Sequence, residues 1–121
     1  MLFRSLQVFA GPLALAHLLQ RGLRPGDVRL LPAAAGGPKG LILNPLDRFL
    51  FGHWLAGSTQ TLHLPGASSG AWRMACAMLP NPDAALAELA QRCIHQDFRV
   101  PAGGWPDAAE VSQVSRELLA G

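Results

Sequence analysis

Apolar positions recur along this chain at two different periods. Leu15, Leu18 and Leu19 follow Pro12 at helical spacing and stop before Gly22, which predicts a first helix over 12–21. Arg24-Pro25-Gly26-Asp27 reads as a turn, and Val28 to Pro32 as a short buried strand. Ala33 to Gly40 is small and glycine-rich. Leu41, Ile42, Leu46, Phe49 and Leu50 then return to helical spacing, with Pro45 bending or restarting that helix. Gly52 to Ser58 reads as a loop, Thr59 to Leu64 alternates as a strand, and Pro65 to Gly70 turns sharply. Ala71 to Leu79 is helical up to Pro80. A further helix begins at Pro82 with Asn81 as its cap and reaches about His95. After Gly103-Gly104, Asp107 and Glu110 stand three apart at the head of a last helix, as in a capping box.

Helices alternating with strands predict an α/β fold: a parallel sheet with flanking helices in three layers. Only two strands are clear, with a third candidate in Leu2 to Ala10. So few strands would leave an unpaired edge and uncovered apolar surface. Residues 1–121 are therefore expected to be the N-terminal part of a single, truncated domain, with apolar surface around Ile42, Leu46, Leu62 and Leu64.

Composition narrows the class. Half of the 121 residues are apolar and 15% are charged, which excludes a disordered tail. The net charge of +2, from scattered Lys and Arg, excludes a nucleic-acid footprint. Cys76 and Cys93 are too few for a disulfide framework, which favours a cytoplasmic setting, and no metal site or cofactor is called for. The uncharged stretch from Phe49 to Trp72 is broken by Gly57, Pro65 and Gly66, unlike a spanning helix. Arg4 and the run ending Ala14-Leu15-Ala16 imitate a secretory signal, but Gln7 and Gly11-Pro12 interrupt it, and an ordinary helix fits better.

Two short motifs carry the candidate chemistry. Gly66-Ala67-Ser68-Ser69-Gly70 is G-x-S-x-G, entered from a strand and left by a helix, the context of a nucleophile elbow with Ser68 as nucleophile. The other reading is a serine-rich N-cap, with Ser68 or Ser69 capping an ordinary helix. Gly36-Gly37-Pro38-Lys39-Gly40 also lies between strand and helix. Its consecutive glycines can converge N–H groups on an anion or a developing oxyanion. Lys39 is the only lysine beside nine arginines, although a flexible loop with a solvated lysine is the plain alternative. Lys39 is followed by Gly40 rather than Ser or Thr, which argues against nucleotide binding.

Together, in order and spacing over residues 25–95, these motifs resemble the patatin-like phospholipases, serine lipid acyl hydrolases with a glycine-rich oxyanion loop and a G-x-S-x-G elbow. The resemblance implies Ser68 as nucleophile and Gly36 and Gly37 as the oxyanion hole. Lys39, Gly40, Gly66 and Gly70 would support the two motifs. It also implies a lipid or acyl-ester substrate, with peripheral membrane contact as an option. Three departures stand against it. Ala34 and Ala35 replace the loop's Asp and first Gly, Lys39 replaces its Arg, and Pro38 has no N–H. More severely, the family's base is the Asp of an Asp-Gly pair, and no Asp-Gly occurs among Asp27, Asp47, Asp83, Asp97 and Asp107. The order Ser68, Asp83, His95 formally suits a hydrolase triad. However, Asp83 and His95 fall about 18 Å apart along one helix at 1.5 Å per residue. His17, His53 and His63 have no evident acid partner either. The chain alone is thus expected to be inactive, and a non-catalytic lipid- or acyl-binding module is the alternative. Trp54 and Trp72 are expected to pack, with lipid contact a lesser option.

Overall fold

The computed structural model describes residues 9–100 and 102–120. They contain five α-helices: α1 (Pro12–Arg21), α2 (Asn44–Phe49), α3 (Ser69–Ala77), α4 (Pro82–Ile94) and α5 (Ala108–Leu119). The punctuation read from the sequence explains most of their ends. Pro12 opens α1, and Gly22, at φ +71°, closes it. Asn81 caps α4 by accepting the Ala84 N–H at 3.1 Å, with Pro82 in the first turn. Asp107 caps α5 through the Glu110 N–H at 2.8 Å. The reciprocal half of that capping box is diverted, because Glu110 Oε1 accepts from the Arg99 N–H at 2.9 Å.

Around α2 the helix is longer than its α-helical part. Tight 3-10 turns over Gly37–Leu43 lead into it, and wider π-type turns over Leu50–Trp54 lead out. Pro45 cannot donate to a carbonyl one turn back, so the α-geometry begins only where Pro45 falls in a first turn. The wider turns extend helical structure to Trp54, where the sequence pattern had suggested a loop from Gly52.

The expected parallel sheet is absent from the described residues, and the architecture is all-α. Segments 28–32 and 59–64 are extended and lie side by side. Their backbones pair through isolated parallel bridges at Leu30–His63 and Ala33–Gly66. The joining hydrogen bonds run from the N–H of Leu31 to His63 O, of His63 to Arg29 O and of Ala33 to Pro65 O, each 2.9 Å. Two segments this short, joined by two isolated bridges among the described residues, give no regular ladder. The third strand candidate, Leu2 to Ala10, falls outside the described residues as far as Val8. Periodicity identified where the backbone is extended, but it could not count the partners that a sheet requires.

The core sits where α3, α4 and the helical run 37–54 meet. Leu86 of α4 and Met74 of α3 are completely enclosed, joined by Phe51, Leu55 and Ala33. Leu62 and Leu64 of the extended segment pack partly against them, whereas Ile42 is 84% exposed and Leu46 52%. No residue of α1 is buried. That helix is tied by Asp27, whose carboxylate meets His17 Nε2 at 2.9 Å and Arg21 Nη2 at 3.2 Å.

Two arginine pairs fasten the helices. Arg73 of α3 grips Asp47 of α2 through both Nε and Nη2, at 2.5 and 2.8 Å, with side-chain exposures of 12% and 4%. Arg48 of α2 similarly holds Asp83 of α4 at 2.7 and 3.2 Å, but in the open. Asp47→Ala should destabilise the fold by about 3 kcal/mol in urea unfolding, because it strands a guanidinium that is only 12% exposed. Asp83→Ala should cost far less.

Acid should weaken the same architecture. Hydrogen bonding from Arg48 holds the Asp83 carboxyl below its ordinary range, and the Arg24 N–H followed by His17 does so for Asp27. A carboxyl depressed in the folded state adds stability that is full above the unfolded value, about pH 4. That stability is lost as pH falls through the lower folded value. Urea midpoints should therefore be flat from pH 7 to 5 and fall below about pH 4, less steeply in Asp83→Asn.

Candidate functional site

The chain arrives at Gly66 extended, hydrogen-bonded to segment 29–33, and must reverse at once into α3. Ser68 makes the reversal at φ +52°, ψ −128°, the only non-glycine residue with positive φ among those described. The Ala67 N–H donates to Ala33 O at 3.0 Å, and the Gly70 N–H folds back to Ala67 O at 2.9 Å. There is no room for side chains on either flank. A Cβ on Gly66 would fall 2.6 Å from Ala71 Cα, and one on Gly70 would overlap the Ala33 and Ala34 carbonyls. The glycines of the motif are therefore sterically required, and the serine between them is strained. Ser68 makes no side-chain cap to α3, and its hydroxyl has no hydrogen-bond partner among the described residues. The turn is sharp, and Ser68 does not cap α3 through its side chain.

The glycine loop packs against that turn. The Gly36 N–H donates to Ser69 Oγ at 3.2 Å across 33 residues of sequence. Gly37 follows at φ +53°, a conformation that disfavours other residues. Gly40 is buried beside Ser69 and Arg73, where a Cβ would lie 3.4 Å from Ser69 Oγ and 3.8 Å from Arg73 Cδ. Lys39 is exposed and makes no ion pair among the described residues. Because the Gly36 N–H is engaged and Pro38 has none, the loop's free donor next to the turn is the Gly37 N–H. The Ser69 N–H, at the first position of α3, is likewise outside the helical ladder.

Ser68, Ser69, Gly37 and Gly40 border one cavity of about 270 Å³. Its other walls are mainly apolar: Leu41 after the loop, Trp72 of α3, Leu89 of α4, and Phe98 beyond α4. Cys93 also faces it, and burial pushes its thiol above the ordinary range, so that it stays protonated at neutral pH. Trp54, by contrast, packs against the core. Arg73 of α3, Gln96, and Ser115 of α5 also line it, and a largely apolar cavity with a few polar groups suits a ligand with an acyl chain and a polar end.

Set against known protein families, curated proteins and solved structures, the chain matches none. The site must be read from its own geometry.

No carboxylate and no imidazole lines the cavity among the described residues. Asp83 is held by Arg48 in the first turn of α4, and His95 is exposed at the far end of that helix, so the formal triad order assembles nothing. Asp47 comes near the site, but both its oxygens accept from Arg73. The described residues hold no cluster of three or more metal-ligating side chains and no helix long and apolar enough to cross a membrane.

The motifs thus brought together every glycine and serine singled out from the sequence. What sequence reasoning missed were the apolar walls other than Trp72, for which lipid contact was the lesser expectation, and the Asp47–Arg73 pair. The signal for Leu89 and Cys93 was their spacing of four on one helix face, alongside Leu86. For Asp47 and Arg73, 26 residues apart, no local signal exists.

If Ser68 is strained, removing its Cβ relieves the strain. Ser68→Gly should raise the unfolding free energy by about 1 kcal/mol, whereas Ser68→Val should lower it. Ser69→Gly should give no gain, because Ser69 is helical. Equal urea midpoints for Ser68→Gly and the parent would remove the strain argument.

Proposed function

We propose that this chain carries the nucleophile and oxyanion-binding parts of a serine acyl hydrolase of the patatin-like kind, acting on lipid acyl esters. The observation that supports it best is Ser68, held at positive φ between two glycines that admit no Cβ, at the edge of an apolar cavity. In this reading the acyl chain lies along Trp72, Leu89 and Phe98, and the ester carbonyl sits over Ser68. Ser68 Oγ attacks the carbonyl carbon, the alcohol leaves, and water releases the acyl group from the serine ester. The Gly37 N–H, joined by the Ser69 N–H at the N-terminus of α3, receives the charge that develops on the carbonyl oxygen.

Attack also requires a base to take the Ser68 proton, since a serine hydroxyl is a weak nucleophile without one. The described residues bring none to it. The resemblance implies an aspartate followed by glycine, which this sequence lacks. That gap favours a second reading, a non-catalytic acyl-binding module that keeps the cavity and the loop without the chemistry.

Both readings place an acyl chain in the cavity, and they part at Ser68. Decanoic acid added to the chain should shift the amide resonances of Gly37, Ser69 and Trp72 in ¹H–¹⁵N spectra. Shifts elsewhere, or none, would sink both readings. The 121 residues alone should not turn over p-nitrophenyl decanoate. An alkyl fluorophosphonate, given hours at about pH 9.5 where hydroxide can serve as base, should label Ser68 in the hydrolase reading. That labelling should vanish in Ser68→Ala and persist, more slowly, in Ser69→Ala. Absence of labelling with decanoate still bound would leave the binding module.

A further inference from the structure

Asp47 is the one charged side chain that the described residues bury, and a buried ion pair is weak support for stability compared with apolar residues of the same volume. Its position suggests another use. Arg73 lies four residues after Ser69, so both project from one face of α3. Ser69 Oγ takes the Gly36 N–H just before the loop's turn, while Arg73 takes Asp47 just after the 3-10 segment that the loop feeds. Gly40 is buried beside both, where an added Cβ would lie 3.4 Å from Ser69 Oγ and 3.8 Å from Arg73 Cδ. The stretch from Gly36 to Asp47 is thereby fastened to α3 at both ends. Gly37, with its free N–H and positive φ, lies inside the bracket.

We infer that Ser69 and the Asp47–Arg73 pair are positioning residues: they hold the Gly37 N–H at the elbow, so that it and the Ser69 N–H meet an oxyanion bound at Ser68. The inference rests on the acyl-hydrolase reading of the same site. The fork geometry matters here. Two parallel N–H···O bonds fix the orientation of α2 against α3, which a single lysine contact would leave free to pivot. Ser69 has a double part, its hydroxyl locating the loop while its own N–H faces the same anion.

The test compares two probes of equal chain length on the 121-residue chain. Decanol reports the apolar cavity alone, whereas decylphosphonate adds a tetrahedral anion at its head. In the parent, decylphosphonate should bind more tightly than decanol and move the Gly37 and Ser69 amide protons downfield. Ser69→Ala should weaken decylphosphonate about tenfold, the effect of losing one charge-assisted hydrogen bond's alignment. Decanol affinity should fall far less than decylphosphonate affinity does, and the helical circular dichroism should not change. Ser69→Thr, which keeps the hydroxyl, should restore the anion response, and Arg73→Lys should lose it in part. Asp47→Asn should behave as Ser69→Ala does. Should it unfold, the Ser69 and Arg73 variants decide the matter. A Gly37 response that survives Ser69→Ala and Arg73→Lys unchanged would overturn the positioning role. Parent protein that binds decanol with no preference for decylphosphonate would overturn it too, while leaving acyl binding standing. Failure to bind either probe would instead remove the acyl reading itself.

Discussion

The packing of the start of α3 directly onto the backbone of Ala33 and Ala34 is the constraint from which the site follows. Gly70 has no space for a methyl group there, and Gly66 none against Ala71. With both flanks pressed this closely, the chain has too few residues to turn by ordinary dihedrals, and the excess bend falls on Ser68. The same contact brings the glycine loop within hydrogen-bond reach of Ser69, because Ala33 leads straight into it. One close backbone approach therefore sets the strain, the loop position and the edge of the cavity together.

The packing energetics are unevenly distributed around that contact. The enclosed core is small, built on Leu86 and Met74, and lies behind α3 rather than beneath the whole chain. Polar bonds do much of the remaining fastening: Asn44 Nδ2 to Leu86 O at 2.8 Å, Gln60 Nε2 to Val28 O at 2.7 Å, and the two arginine forks. Several large apolar side chains, among them Leu13, Ile42 and Trp105, stay almost wholly in contact with solvent. The site is thus supported by the best-packed part of the molecule, while α1 hangs from Asp27 by polar contacts.

Much of the local structure was legible in the residues. Proline and glycine positions gave both ends of α1 and the start of α4, because their effects act through one or two dihedrals. The two glycine motifs marked the sharp turn at Ser68 and the loop packed on it, both governed by local sterics. The sheet was not legible. Leu30 and His63 do sit side by side, yet whether two extended segments become a sheet depends on neighbours that no period reveals. The turn from Gly52 was misread for a related reason: Phe51 and Leu55 are buried, and tertiary packing draws the helix on past a glycine that local propensity would use to end it. The Asp47–Arg73 fork, like the cavity walls from α4 and beyond, exists only once the helices have met.

The conformation of Ser68 also bears on how this position would change over generations. Glycine is the residue that the backbone itself prefers at such a dihedral pair, and serine is one or two nucleotide changes away from it in the genetic code. Mutation without any demand on the hydroxyl would drift downhill, toward the more stable chain. A serine at the summit of that gradient is in a metastable sequence state, retained only for as long as something other than folding selects it.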